Sequence, residues 1–88
     1  GETPAIRTDD AGRVTVAGTV RLEELGEALG LVLEHEEVDT VSGLILAKLG
    51  RPPSVGDRVE HEEVVLEVSA VRGRGVQEAR VASAPEPK

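Results

Sequence analysis

Apolar positions along the chain change period several times, and each change marks an element. Val14 and Val16 alternate with polar neighbours and predict a half-buried strand that stops at Ala17-Gly18. Before it, Asp9-Asp10-Ala11-Gly12 is turn chemistry, since Asp bonds its own backbone and Gly tolerates positive φ. Residues 1–8 read as a polar N-terminal tail, in which Ile6 adds a short edge strand. Leu22, Leu25 and Leu29 recur at i, i+3 and i+7, with Glu23, Glu24 and Glu27 on the opposite side. That spacing predicts a short amphipathic helix. Gly26 should weaken it by about 1 kcal/mol relative to Ala. Gly30 is placed to end it, with Leu31 folding back onto the core.

Glu34-His35-Glu36-Glu37 is too polar for the core and predicts an exposed loop. Asp39 or Thr40 caps a second helix whose buried stripe is Val41, Leu44, Ile45 and Leu49. Leu46 lies off that stripe, so this helix is apolar on more than one side. Gly50 ends it and Pro52-Pro53 prevent its continuation. After a turn at Val55-Gly56-Asp57, strands are predicted at residues 58–60 and 64–70, with Val64, Leu66 and Val68 sharing a face. Arg72-Gly73-Arg74-Gly75 is the next turn. A last strand covers residues 76–82, where Val76 and Val81 fall out of phase; a bulge or an edge position accounts for that. Residues 83–88 carry Pro85 and Pro87 and read as a disordered tail.

The order is strand, helix, helix, then a meander. It predicts an α+β domain over residues 9–82: a small antiparallel sheet with two helices packed on one face. Its expected core is Leu22, Leu25, Leu29, Leu44, Ile45, Leu49, Val59, Leu66 and Val68.

Composition narrows the chemistry. The 88 residues contain no Phe, Tyr, Trp, Met or Cys. Without thiols there is no disulfide, thiolate metal site or cysteine nucleophile. Without rings of that kind nothing can stack on a base or a flavin. A net charge of −7 argues against nucleic acid as a partner. The longest uncharged stretch, residues 40–47, is far too short to cross a bilayer, so no direct membrane insertion is expected. The chain opens Gly1-Glu2 rather than with Met, which suggests a piece of a longer protein.

Residues 38–59 read V-D-T-V-S-G-L-I-L-A-K-L-G-R-P-P-S-V-G-D-R-V. Asp39-Thr40 opening a helix, Gly43-Leu44 within it, Leu49-Gly50-Arg51 ending it, Pro53, then Gly56-Asp57 before a strand resemble the transporter-associated domain of the CorC/HlyC family. Upstream, Val16, Gly18, Leu22, Leu25, Leu29, Gly30 and Leu31 resemble the family's strand, turn and helix. The resemblance covers about residues 10–81. The family usually carries aromatics where Val38, Val64 and Leu66 stand here, and its hairpin often turns on Gly rather than near His61-Glu62-Glu63.

The resemblance implies a topology like a small FAD-binding domain. It implies a C-terminal accessory domain on the cytoplasmic face of a membrane protein, after membrane-spanning and CBS domains, among them magnesium and cobalt efflux, hemolysin-like and cation/proton antiporter proteins. It implies modulation of transport without catalysis, and compatibility with a homo-oligomer. Fold analogy alone raises FAD as a cofactor; none is expected. A flavin- or nucleotide-binding module and a self-association domain of another multidomain protein are the alternatives.

Candidate chemistry is sparse. Seven of the 17 acids (Glu23, Glu24, Glu27, Glu34, Glu36, Glu37 and Asp39) lie within residues 22–47, which hold no Lys or Arg; the other ten acids are balanced by ten bases. These seven form the candidate interaction surface, drawing cations or a basic partner. His-Glu-Glu-Val occurs at residues 35–38 and again at 61–64. Neither copy has the spacing of a zinc motif, and both read as solvated loops. Ser42, Ser54, Ser69 and Ser83 lie in no nucleophile elbow. No catalytic residue and no metal ligand is assigned. Arg51, Arg72 and Arg74 would meet phosphates only if the fold brought them together.

Overall fold

The computed structural model of the chain describes residues 5–85. Its elements are β1 (Ile6–Thr8), β2 (Val14–Ala17), α1 (Leu22–Leu29), α2 (Val41–Leu49), β3 (Arg58–His61), β4 (Val64–Arg72) and β5 (Gly75–Ser83). All strand pairings are antiparallel, in one sheet of order β1-β2-β5-β4-β3. The fold is therefore α+β with two helices and an antiparallel sheet, as the periodicity predicts.

Pairing of β2 with β5 places the last strand beside the second and makes β5 an interior strand. Its broken alternation thus has a bulge as its cause, not an edge position. The β4–β5 register slips between Val68 and Ala70 and again before Val71. An extra residue resets the period of two, so Val76 and Ala79 are both buried although three positions apart.

One sheet face carries the core. Val16, Val59, Val64, Leu66, Val68 and Ala79 are buried in one cluster with Leu22 and Leu25 of α1 and Val41, Leu44 and Ile45 of α2. Both helices therefore pack on the same face. The opposite face is polar: Arg58, Glu67 and Arg80 lie in one cross-strand row. The Glu67 carboxylate sits 3.6 Å and 3.7 Å from the two guanidiniums.

Two of the expected core residues are displaced to the rim. Leu29 and Leu49 end their helices and are only half-buried against the cluster. Val20 and Leu33, which lie outside every helix and strand, are buried instead.

The helix ends follow local chemistry. Thr40 Oγ1 accepts from the Gly43 N–H at 3.0 Å and starts α2. At the end of α1, Gly30 takes φ 74°, and the N–H groups of Gly30 and Leu31 return to the carbonyls of Glu27 and Gly26. Such closure needs a left-handed residue, hence Gly.

Gly26 overturns its sequence reading. Propensity marks it as a weak point in α1. A Cβ there, however, would stand 2.7 Å from the Leu31 carbonyl oxygen and 3.0 Å from the Leu33 nitrogen. The chain leaving α1 crosses over this position at a distance only Gly permits.

At the other end of the chain, β5 continues to Ser83, and Ala84 packs against the core, so regular structure passes the expected start of the tail at residue 83. Residues 86–88 of that tail and residues 1–4 lie outside the described residues.

Candidate functional site: an acidic loop between two clefts

The helices start side by side. Arg21 and Thr40 form an isolated antiparallel bridge, the Leu22 N–H donates to Asp39 O at 2.7 Å, and the Val41 N–H donates to Val20 O at 2.9 Å. Asp39 is thereby fixed next to the first turn of α1. The connecting residues 31–39 have no regular structure and are anchored by the buried Leu33.

This arrangement divides the seven acids. Glu23, Glu27, Glu34 and Asp39 line an open cleft of about 410 Å³ beside α1, whose apolar lining includes Leu31 and Val32. Val32 is 80% exposed, a large apolar side chain left facing water among carboxylates. Glu36 and Glu37 instead line a second cleft, of about 580 Å³, that also has Glu34, Lys48 and Glu62 in its wall. Glu24 lines neither. Its carboxylate accepts the Arg21 backbone N–H at 3.4 Å and serves the start of α1. Glu34 belongs to both clefts, so the loop is their shared wall.

The repeated tetrapeptide is where the sequence reading missed a relationship. Its two copies are not separate solvated loops. The His35 and His61 rings meet with centroids 5.6 Å apart at 49°. His61 Nε2–H donates to the Glu34 carbonyl oxygen at 2.7 Å, tying the end of β3 to the acidic loop. His35 Nδ1 accepts the Glu37 N–H at 3.0 Å. The repetition itself was the available signal, for nothing in the periodicity joins positions 26 residues apart.

Among the described residues no three His, Asp or Glu side chains converge on one point, whereas Ca²⁺ or Mg²⁺ needs several oxygens within bonding range. His35 Nδ1 is taken up as the acceptor of the Glu37 N–H, so the lone pair of that nitrogen is not offered to the cleft.

Arg51, Arg72 and Arg74 stand at different places in the fold. Ser42 Oγ accepts the Val76 N–H at 3.0 Å, which sets the hairpin bearing Arg72 and Arg74 at the N-terminal end of α2. Arg51 lies past the other end, ~13 Å away along a helix of this length. It is also committed to Asp57, whose carboxylate it meets through both terminal nitrogens. Among the described residues no helix is long and apolar enough to cross a membrane.

Residues 7–84 match the CorC_HlyC family, described as a transporter associated domain. A possible hemolysin C of Rickettsia bellii is 34% identical over 65 residues, covering 70% of this chain and 22% of that protein. The magnesium and cobalt efflux protein CorC of Escherichia coli is 29% identical over 77 residues, covering 84% of this chain and 26% of that protein. The chain thus spans about a quarter of the length of these curated relatives. A solved transporter associated domain from a Xylella fastidiosa hemolysin, in complex with Mg²⁺ and Mn²⁺, superposes with a TM-score of 0.80 at 23% identity, covering 93% of this chain and all of that one. The chain belongs to the CorC_HlyC transporter associated domain family.

Proposed function

We propose that this chain is a non-catalytic accessory domain of a membrane cation transporter of the magnesium and cobalt efflux kind, and that it modulates transport by docking onto other parts of the same protein. The observation that carries this reading is the match of residues 7–84 to the family, with relatives about four times longer, one of them CorC. The docking surface is the cleft of Glu23, Glu27, Glu34 and Asp39 around exposed Val32. Its chemistry suits a basic segment carrying an apolar anchor. Charge sets the rate and register of approach, and desolvation of the valine stabilises the complex. The partners are the CBS and membrane domains of the parent chain, on the cytoplasmic face of the membrane.

Divalent ions act on this surface as a diffuse counter-charge rather than as a bound centre; the dispersed donors support that. No flavin takes part. The absence of Phe, Tyr and Trp, the acidic cleft and the separated arginines support this. The test is ion flux through the parent transporter in proteoliposomes, with and without this domain. The expected result is a changed rate or set-point with transport retained. Identical flux after removal of the domain would refute the modulating role.

A further inference from the structure

We propose that His35 and His61 form a proton-operated clamp on the acidic loop, with His35 as its sensor. The two imidazoles hold the loop in chemically different ways. His61 gives its Nε2–H to the Glu34 carbonyl oxygen, and that donor persists when the ring gains a proton on Nδ1. His35 uses Nδ1 as the acceptor for the Glu37 N–H, and this nitrogen is the one that a proton must occupy. Protonation therefore leaves the first bond in place and replaces the second with two N–H groups pointed at each other. It also puts two cations at a ring separation of 5.6 Å. The charged groups sharing a cleft with the pair are Glu34, Glu36 and Glu37 from the loop, Lys48 from α2 and Glu62 from the β3–β4 hairpin, with Arg21, Glu23, Glu27 and Asp39 in the first cleft beside His35. Released carboxylates of the loop are free to turn toward the imidazolium.

The consequence is local and directed. Glu34 and His35 line both clefts, so release of the 35–37 turn changes the wall that they share. A bearing on docking rests on the proposed function; the clamp itself rests on the imidazole geometry alone. Histidine changes charge between about pH 5 and 8, the range in which a cell's interior and its acidified compartments differ.

The experiment is nuclear magnetic resonance on the 88-residue chain, without any partner, from about pH 8 to 5. Imidazole nitrogen shifts at the upper pH should place the neutral proton of His35 on Nε2. Through the His35 titration the Glu37 amide should lose about fivefold in exchange protection, corrected for intrinsic exchange, the size of one net hydrogen bond. In His35→Asn a side-chain oxygen accepts the same N–H two residues on and does not titrate, so the transition at Glu37 should vanish. In His61→Gln it should remain. A His35 proton on Nδ1 in the unaltered chain overturns the proposal without any variant. So does a Glu37 amide indifferent to pH, or a transition that survives in His35→Asn.

Discussion

Arg51 and Asp57 close the loop between α2 and β3 with a two-pronged ion pair, Nη1 to Oδ2 at 3.0 Å and Nη2 to Oδ1 at 2.8 Å. The same carboxylate accepts the Ser54 N–H at 2.7 Å. Asp57 is thus held by a guanidinium and a backbone amide, while Arg51 also donates to the Pro52 carbonyl at 3.1 Å. This gives the Arg51 and Asp57 positions of the family pattern a physical role: they tie the chain leaving α2 to the start of β3.

The hydrogen bond from Arg51, then that from Ser54, holds the Asp57 carboxyl below the usual carboxylate range, and the pair raises Arg51 above its own. A depressed acid contributes stability above its unfolded pKa and loses it as pH falls toward the folded one. Arg51 stays charged throughout. Stability should therefore decline below about pH 4, and Asp57→Asn should remove part of that decline. Denaturation midpoints across the acid range check this. Parallel pH profiles for the two chains would disprove it.

Gly26→Ala should destabilise, against its helix propensity. Propensity favours Ala by about 1 kcal/mol. A Cβ at 2.7 Å from the Leu31 carbonyl oxygen forces backbone to move, and such overpacking costs roughly 1–3 kcal/mol. Urea denaturation reads the sign directly; a net gain would mean that the chain crossing over α1 yields easily.

The β3–β4 hairpin turns on Glu62 and Glu63 at φ 53° and 68°. Left-handed backbone costs a non-glycine residue roughly 1–2 kcal/mol, and two-residue turns of this φ pattern favour Asn-Gly. The double change Glu62→Asn, Glu63→Gly should raise stability by about 1 kcal/mol, once the greater unfolded-state freedom of Gly is counted. A raised thermal midpoint is the expected result, and a lowered one counts against the turn geometry.

Leu44 is 1% exposed, while Leu49 sits half-buried at the rim. Leu44→Ala should cost roughly 2–5 kcal/mol, and Leu49→Ala well under that. Equal losses by chemical denaturation would place Leu49 in the core after all.

The elements were legible because their signals are local. Leu22 and Leu25 at helical spacing, Thr40 before α2, Gly30 after α1 and the alternation of Val64, Leu66 and Val68 all act within a few residues. What stayed hidden depends on contacts distant in sequence. Nothing near Val76 announces that β5 lies between β2 and β4, so its phase break stayed ambiguous between a bulge and an edge. Gly26 looks like a defect until the chain at Leu31 and Leu33 is seen above it. For the candidate surface, the charge run was plain, but it could not separate Glu24, used at the start of α1, from Glu23 and Glu27 in the cleft. The contact of His35 with His61 was hidden for the same reason: one ring belongs to a loop, the other to the end of β3.

Docking of the acidic cleft on the rest of a transporter depends on the charge of Glu23 and Glu27. The most direct measurement is cation flux through the parent protein carrying Glu23→Lys and Glu27→Lys. Both side chains are exposed on α1, so the domain should stay folded, as circular dichroism of the isolated 88-residue chain would verify. This reversal should alter flux in the same direction as removing the domain. Unchanged flux from the charge-reversed protein, where removal of the domain does change it, would contradict docking through this cleft.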